Sequence, residues 1–334
     1  MTRATDDLPR MLQDSLTDYF GRSCAITALH RQPYAYSTSF ALEDLEVELA
    51  DGTSLRLIVK DLGDSGLLED TRAFKPDFLY EPRREIETYK QLLEPARLGT
   101  PTCYGAVSDV GYPRYWLFLE KIQGRELYQI GDVDVWVEVA RWLAGMHSCA
   151  SLEVESVQRR NPHLISHDAA FYRRWLDRAI TYLDDGGSAH PRSQLASVAA
   201  GLEVALECLA EAPGTFIHGE FYASNVLVAE GPAGYRICPV DWEMAGVGPG
   251  LLDLGALCAG WDEQNRRSIA IGYREAMGSQ ARPLGEEEFM TMLRCCELCL
   301  AVQWLGWAPR WQAPPEHARD WLRVASQLAG ELRQ

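Results

Sequence analysis

The residue pattern changes character along the chain, and this change limits the fold more than any other feature. Residues 43–61 (EDLEVELADGTSLRLIVKD) alternate apolar and polar side chains on both sides of Asp51-Gly52, which predicts a β-hairpin. A short apolar strand is predicted at 115–120 (YWLFLE). Helical spacing of the apolar residues then dominates, at 135–146, 168–183, 193–210, 286–305 and 316–332. A strand-like island at 215–243 interrupts these helices. Since strands and helices are segregated instead of alternating as in a Rossmann sheet, we predict an α+β fold.

The length of the chain predicts two lobes. At roughly 100–200 residues per domain, the 334 residues correspond to two domains or to two lobes of one enzyme. A helix is predicted to begin at Glu81-Pro82, because proline suits the first helical turn. We expect a small strand-rich N-terminal lobe at residues 1–118, a linker at 119–125 and a larger, mainly helical lobe at 126–334.

The charge excludes some classes of partner. With 32 basic and 48 acidic side chains the net charge is −16, which argues against a nucleic-acid-binding protein. The acidic balance fits a cationic small substrate, although net charge speaks mainly to solubility. We expect no signal peptide and no membrane partner, since no uncharged apolar run approaches the roughly 18 residues needed to span a bilayer.

The cysteines predict a reducing compartment. Nine of them, an odd number, are scattered through the chain, which favours free thiols and a cytoplasmic location over a disulfide framework. Cys295, Cys296 and Cys299 lie close together in a predicted helix. They are either buried helix cysteines, the interpretation we favour, or a metal or redox site whose remaining ligands the sequence does not reveal.

The strand-like island carries the residues most suited to chemistry. His218, Glu220 and Asn225 lie in the loop between two short apolar strands, and Asp241 ends the next strand. Carboxylate and amide oxygens are ligands that Mg²⁺ prefers, together with substrate phosphates. A further carboxylate can accept the proton of an attacking hydroxyl, which is the division of labour in phosphoryl transfer.

These residues resemble a known family. The segment 218–228 (HGEFYASNVLV) is similar to the catalytic loop of the aminoglycoside phosphotransferase and choline kinase family, which has His-Gly-Asp, four residues, then Asn and an apolar pair. Residues 240–243 (VDWE) and 250–254 (GLLDL) resemble its metal-binding Asp segment and downstream Asp-Leu. Residues 143–147 (LAGMH) resemble the helix end that precedes the catalytic loop.

The N-terminal part extends the resemblance in the same order. Residues 58–60 (IVK) match the family's nucleotide-binding lysine strand, and 84–89 (REIETY) match the helix that supplies its glutamate partner. Residues 119–122 (LEKI) resemble the linker whose backbone meets the adenine. The ordered matches span about 30–260 and are more specific together than any one of them.

The resemblance implies a two-lobed protein-kinase-like fold and an ATP- or GTP-dependent phosphotransferase that acts on a hydroxyl of a small molecule. Lys60, held by Glu85, is then expected to grip the nucleotide phosphates, and the backbone of Glu120 and Ile122 to meet the adenine. By the same resemblance, Asn225 and Asp241 are expected to coordinate Mg²⁺. Glu220 is expected to act as the base or to orient the acceptor.

Two departures from the family leave alternatives open. Glu220 replaces the family's aspartate and is one methylene longer, and displacing a catalytic group by about 1 Å can slow a reaction roughly 100-fold. The chain is therefore either an active kinase whose loop accommodates glutamate or a catalytically impaired nucleotide- or ligand-binding relative. The phosphate-covering loop at 33–40 has no glycine, so Ser37 and Thr38 would offer hydroxyls instead. A protein kinase is a weaker alternative, because the resemblance is to small-molecule kinases.

The acceptor is not predicted. Acidic residues in the helical part, including 286–288 (EEE), would attract an amine-bearing substrate, but a solvated helix face explains them equally well. An antibiotic, an amino alcohol and a sugar intermediate all remain open, as do the choice between ATP and GTP and the oligomeric state. His147, His218 and Asp253 are expected to brace the fold instead of taking part in chemistry.

Overall fold

The computed structural model describes residues 7–34, 39–72, 75–109, 111, 114–184, 189–231, 234–278, 285–307 and 319–333. The chain divides into two compact units, one formed by Met1–Gly124 and Ala229–Glu243, the other by Arg125–Val228 and Met244–Gln334. The predicted lobes were continuous ranges, whereas here the segment 229–243 joins the N-terminal unit.

The predicted α+β class is confirmed, with most helices in the C-terminal part. The strands are β1 (Ile26–Pro33), β2 (Leu42–Leu49), β3 (Ser54–Asp61), β4 (Cys103–Asp109), β5 (Arg114–Glu120), β6 (Arg125–Glu126), β7 (Ile165–Ser166), β8 (Gly214–Ile217), β9 (Val226–Gly231), β10 (Gly234–Pro239) and β11 (Gly246–Pro249). The α-helices are α1 (Leu8–Phe20), α2 (Glu69–Arg72), α3 (Pro82–Glu87), α4 (Glu94–Ala96), α5 (Val133–His147), α6 (Val154–Arg160), α7 (Ala169–Asp184), α8 (Ala189–Leu209), α9 (Leu251–Cys258), α10 (Glu263–Met277), α11 (Glu286–Gly306) and α12 (Trp321–Glu331).

The first unit is built on an antiparallel sheet in the order β1-β2-β3-β5-β4. The predicted hairpin forms between β2 and β3, and Gly52 takes the left-handed conformation, φ +88°, that its tight turn requires. Helix α1 covers one face of the sheet. The leucines of α1 recur every four residues and pack against side chains of the sheet in one buried cluster. This cluster includes Leu8, Leu12 and Leu16 of the helix and Leu45, Leu57, Val59, Trp116 and Phe118 of the sheet. Burying a leucine side chain completely stabilises the folded state by about 1.5–3 kcal/mol.

The predicted helix at Glu81-Pro82 begins where expected. Glu81 accepts a hydrogen bond from the backbone N–H of Arg83 at 3.1 Å, and Pro82 occupies the first turn. The helical segment then continues from α3 through a π-helical stretch, Thr88–Leu93, into α4. Glu85 and Ile86 are on its buried side.

The second unit packs helices around a small sheet in the order β7-β11-β8. Gly246 of β11 lies opposite both Ile165 and Ile217, and its Cα approaches the ring of His167 so closely that a Cβ would lie 2.5 Å from it. Strand β8 of this sheet ends at Ile217, so the loop that carries Glu220 begins at His218.

Four of the five predicted helices, α5, α7, α8 and α11, have nearly the expected bounds. The one predicted at 316–332 begins later, at Trp321, and 316–318 lie outside the described residues. By length and composition α11 could cross a membrane, but 78% of its most apolar window is buried inside the protein, as in a core helix.

Candidate active site

In the first unit, Lys60 contacts two carboxylates. Its Nζ lies 2.6 Å from Glu85 Oε2 and donates a hydrogen bond to Asp241 Oδ1 at 2.5 Å. Strand β3 supplies the lysine, α3 supplies the glutamate, and Asp241 follows β10. The structure thus joins three residues that are far apart in sequence and that the family pattern assigns to nucleotide and metal.

Burial and charge set the protonation of this group. Burial alone would lower the pKa of Lys60, but the carboxylates of Asp241 and Glu85 outweigh it and raise that pKa above its ordinary value. For Glu85 burial dominates and raises the pKa to about 7, although Lys60 opposes the shift. Repulsion from Asp241, which shares the ammonium ion of Lys60, adds to this rise.

The backbone at Asp241 is unusual. Its φ of +66° lies in the left-handed region, which Asp and Asn tolerate better than other non-glycine residues. The next N–H, of Trp242, donates to Glu85 Oε1 at 3.2 Å, so the segment is tied to α3. Such conformations persist where the surroundings impose them and are concentrated at functional sites.

A second buried ion pair lies near Lys60 and Glu85, and the sequence did not predict it. Lys75 Nζ contacts Glu243 Oε2 at 2.7 Å, with both side chains largely buried. Ser39 donates to the other carboxylate oxygen at 3.2 Å, and Arg84 donates to the Glu243 carbonyl at 2.6 Å. Lys75 also lies 4.4 Å from the ring centre of Phe40. The only sequence signals were the scarcity of lysine and the position of Glu243 in the VDWE segment.

Of the predicted linker residues, Glu120 is the last residue of β5 and Ile122 follows it by two residues. Arg236 donates to both oxygens of Glu120 at 2.7 Å, and Thr102 donates to one of them through its N–H at 3.0 Å. Burial would raise the pKa of Glu120, but these donors lower it. The Glu120 side chain is therefore engaged within the protein, whereas the Ile122 N–H makes no backbone hydrogen bond with any described residue. Ser37 and Thr38 lie outside the described residues.

In the second unit, Asp253 braces the loop that follows β8. Its carboxylate accepts the N–H of His218 at 2.7 Å and that of Gly219 at 2.8 Å, and His147 Nε2 lies 3.3 Å away. Burial would raise the pKa of Asp253, but its hydrogen bond with His147 and the backbone donors lower it. A Cβ at Gly219, where φ is +86°, would lie 2.3 Å from the Met244 carbonyl oxygen, so this turn requires glycine. Asp253 and His147 thus make contacts of the kind expected from the predicted bracing role.

The same loop brings Glu220 and Asn225 together. Asn225 Nδ2 donates to the Glu220 carbonyl at 3.0 Å, which leaves the amide oxygen of Asn225 as a ligand for a cation. The Tyr222 N–H donates to the same carbonyl at 2.7 Å. The Glu220 carboxylate receives a hydrogen bond from Gln303 of α11 at 3.3 Å. Gln303 was not singled out from the sequence, because it follows the apolar residues Leu300, Ala301 and Val302 and belongs to no motif.

The cysteines of α11 are buried free thiols. Burial raises the pKa of Cys295 to about 12 and raises those of Cys296 and Cys299 as well, so these thiols stay protonated. Among the residues that the structure describes, no three His, Cys, Asp or Glu side chains are grouped to hold a metal ion. Of the two interpretations of these cysteines, the structure supports buried helix residues.

A cavity of about 1550 Å³ lies elsewhere in the second unit. Glu286, Glu287 and Glu288 line it, but neither Glu220 nor Asn225 is among the described residues that do so. The acidic run therefore lines a different part of this unit from the loop that carries Glu220.

Comparison with known proteins identifies the family. The model of the phosphotransferase enzyme family matches residues 44–288, well over half of the chain. No curated protein sequence matches. Among solved structures, the chain resembles an ethanolamine kinase from Plasmodium vivax (TM-score 0.58, 10% identity, covering 92% of this chain and 83% of that one). It also resembles the GDP complex of an aminoglycoside 2'-phosphotransferase (0.58, 12%, 97% and 97%). A third similar structure is the choline kinase LicA from Streptococcus pneumoniae (0.57, 14%, 97% and 99%), which has also been solved with AMP. At these identities the structures establish the fold, and together with the family match they confirm the predicted resemblance: the chain belongs to the phosphotransferase enzyme family.

Proposed function

We propose that this protein is a magnesium-dependent kinase that transfers the γ-phosphate of ATP or GTP to a hydroxyl group of a small molecule in the cytoplasm. The observation that carries the proposal is the contact of Lys60 with both Glu85 and Asp241 in a chain that belongs to a phosphotransferase family. Kinase sites combine a lysine that binds phosphates with a carboxylate that binds metal, and phosphoryl transfer proceeds mainly by positioning and charge stabilisation.

The residues present fit Mg²⁺, which is usually held by one or two protein oxygens together with substrate phosphates and water. Asp241 offers a carboxylate that shares its lysine with Glu85, and Asn225 offers the amide oxygen left over from its bond to Glu220. Asp241 and Asn225 would hold the ion. When bound, the ion would neutralise charge on the transferring phosphate.

The remaining residues bind and orient. Lys60 would keep Glu85 as its partner and turn its other donors to the nucleotide phosphates. The Ile122 N–H would donate to the base of the nucleotide. Glu220, held in a loop that Asp253 braces, would accept the proton of the acceptor hydroxyl or orient that hydroxyl.

The acceptor class is proposed from the relatives. Similar structures include kinases of ethanolamine and choline and an aminoglycoside phosphotransferase. We therefore expect an alcohol that carries an amine, which also suits the net charge of −16.

The test is release of ADP or GDP in the presence of ethanolamine, choline, aminoglycosides and sugars, with and without Mg²⁺. Asp241→Asn should lose Mg²⁺-dependent transfer by at least about 100-fold, because it removes a charged ligand of the metal. The fold should persist, since asparagine tolerates the left-handed backbone at this position. An active, Mg²⁺-responsive Asp241→Asn protein would refute the assignment.

The second candidate is a nucleotide-binding relative that has lost the chemistry, and the observation in its favour is Glu220 in place of the family's aspartate. Glu220→Asp separates the two. An inert wild type that gains activity in this variant supports the binding protein. An active wild type that loses activity in the variant supports a site built around glutamate.

A further inference from the structure

Glu220 needs support that a shorter side chain would not need. Its extra methylene adds one rotatable bond, so its carboxylate can occupy more positions than that of an aspartate. A group that must meet a hydroxyl in one geometry loses efficiency when it is misplaced by about 1 Å. A neighbour that fixes this carboxylate would therefore matter more here than in a site with aspartate.

Gln303 is placed to do this. It lies on α11 with 1% of its surface exposed, and its Nε2 donates to Glu220 Oε1 at 3.3 Å. A carboxylate only accepts hydrogen bonds, so the amide must present its NH₂ group to Glu220 and its oxygen elsewhere. The orientation of the amide therefore follows from the chemistry of its neighbour.

The oxygen of this amide destabilises the folded state. Gln303 Oε1 is buried and has no hydrogen-bond partner among the described residues. A buried, unsatisfied acceptor destabilises a protein relative to an apolar side chain of the same shape. The flanking α11 residues Leu300, Ala301 and Val302 are buried and apolar, so a polar side chain is an exception in this part of the helix.

The next residue of α11 also holds the loop. Trp304 Nε1 donates to the hydroxyl of Tyr222 at 2.6 Å. Gln303 and Trp304, which are consecutive in α11, thus bind Glu220 and Tyr222, which are two residues apart in the loop. The helix supports the loop around Glu220 through these two polar contacts, and the one from Gln303 reaches the carboxylate that would act on the acceptor.

We propose that Gln303 is a positioning residue that holds the carboxylate of Glu220, the substitution for the family's aspartate, in its working position. The proposal rests on the proposed function. It gives a reason for a buried side chain with an unsatisfied oxygen next to the apolar residues Leu300, Ala301 and Val302.

The test is Gln303→Met, which keeps the length of the side chain and removes both polar atoms. We expect kcat to fall about 10- to 100-fold with an unchanged KM for the nucleotide, because orientation is lost and nucleotide binding is not. The melting temperature should stay the same or rise. Ser326→Ala is the matched control, since Ser326 Oγ on α12 is also buried without a hydrogen-bond partner among the described residues. It should leave kcat unchanged.

The coupling to Glu220 separates positioning from packing. In a Glu220→Asp background the contact is already lost, so adding Gln303→Met should change kcat by no more than about 3-fold. An equal loss of kcat in both backgrounds, or a loss that accompanies a fall in melting temperature, would overturn the proposal in favour of a packing role. An active wild type with unchanged kcat in Gln303→Met would overturn this proposal alone. A wild type that transfers no phosphate to any acceptor would overturn both this proposal and the proposed function.

Discussion

Glu85 of the first unit and Asp253 of the second are both buried carboxylates, yet their environments shift their pKa values in opposite directions. Burial raises the pKa of Glu85 to about 7. Burial would do the same to Asp253, but its hydrogen bond with His147 and its backbone donors lower the pKa instead. Burial alone therefore does not decide the outcome.

The difference lies in which groups stabilise each carboxylate. Asp253 accepts hydrogen bonds from two backbone N–H groups, at 2.7 and 2.8 Å, and His147 lies 3.3 Å away. Glu85 depends on Lys60, which it shares with Asp241. Asp253, which braces the loop, therefore has donors of its own, whereas Glu85 and Asp241 share one lysine.

The largest effect on stability is expected for Asp253→Ala. The variant would leave the N–H groups of His218 and Gly219 buried without an acceptor, so we expect a loss of about 3–5 kcal/mol in the free energy of unfolding. Urea denaturation measures it. A loss below about 1 kcal/mol would contradict the bracing role.

The second largest effect on stability is expected for Lys75, which forms a buried ion pair with Glu243. Lys75→Met would leave Glu243 buried without its ammonium partner and should destabilise the first unit by about 2–4 kcal/mol. The double variant Lys75→Met, Glu243→Gln should recover most of the loss, because no unpaired charge remains. If the double variant is no more stable than Lys75→Met, the pair does not carry the effect.

The pH dependence of stability tests the environment of Glu85. Its folded-state pKa of about 7 lies above the ordinary value of 4.5, so the folded state binds more protons between these pH values. The free energy of unfolding should fall by about 1–3 kcal/mol as the pH rises from about 4.5 to 7. Glu85→Gln should remove this part of the slope.

Two other carboxyl groups serve as references for this titration. Burial raises the pKa of Glu297 to about 7 as well, so its share of the slope should remain in Glu85→Gln. The lowered pKa of Asp253 gives the opposite sign, since its contribution is present above about 3.8 and is lost as the pH falls below that value. An unchanged slope in Glu85→Gln would contradict the raised pKa.

The smallest effect is expected at the partly exposed pair of Glu120 and Arg236. Removing the guanidinium by Arg236→Ala should cost less than about 1 kcal/mol, because water solvates and screens both charges. Chemical denaturation at low and high salt measures it. A loss above 2 kcal/mol would mean that this pair belongs with the buried ones.

Local patterns predicted much of the fold and, within the candidate site, the loop that carries Glu220. The β2–β3 hairpin, the helix start at Pro82 and the loop around Glu220 each depend on residues close in sequence. Lys75 and Glu243 are 168 residues apart and Gln303 and Glu220 are 83 apart, so only the folded chain reveals these contacts. Helix α1 was missed, although Leu8, Leu12 and Leu16 have helical spacing.

The central claim is that Lys60, Glu85 and Asp241 form a site for a magnesium nucleotide. The most direct measurement is a thermal-shift titration of the wild type and Asp241→Asn with ATP and GTP, each with and without Mg²⁺. A ligand that binds only the native state raises the melting temperature by mass action. We predict a Mg²⁺-dependent rise for the wild type that is lost in Asp241→Asn. No shift of the wild type at millimolar nucleotide, or an equal Mg²⁺-dependent shift in both proteins, would contradict the claim.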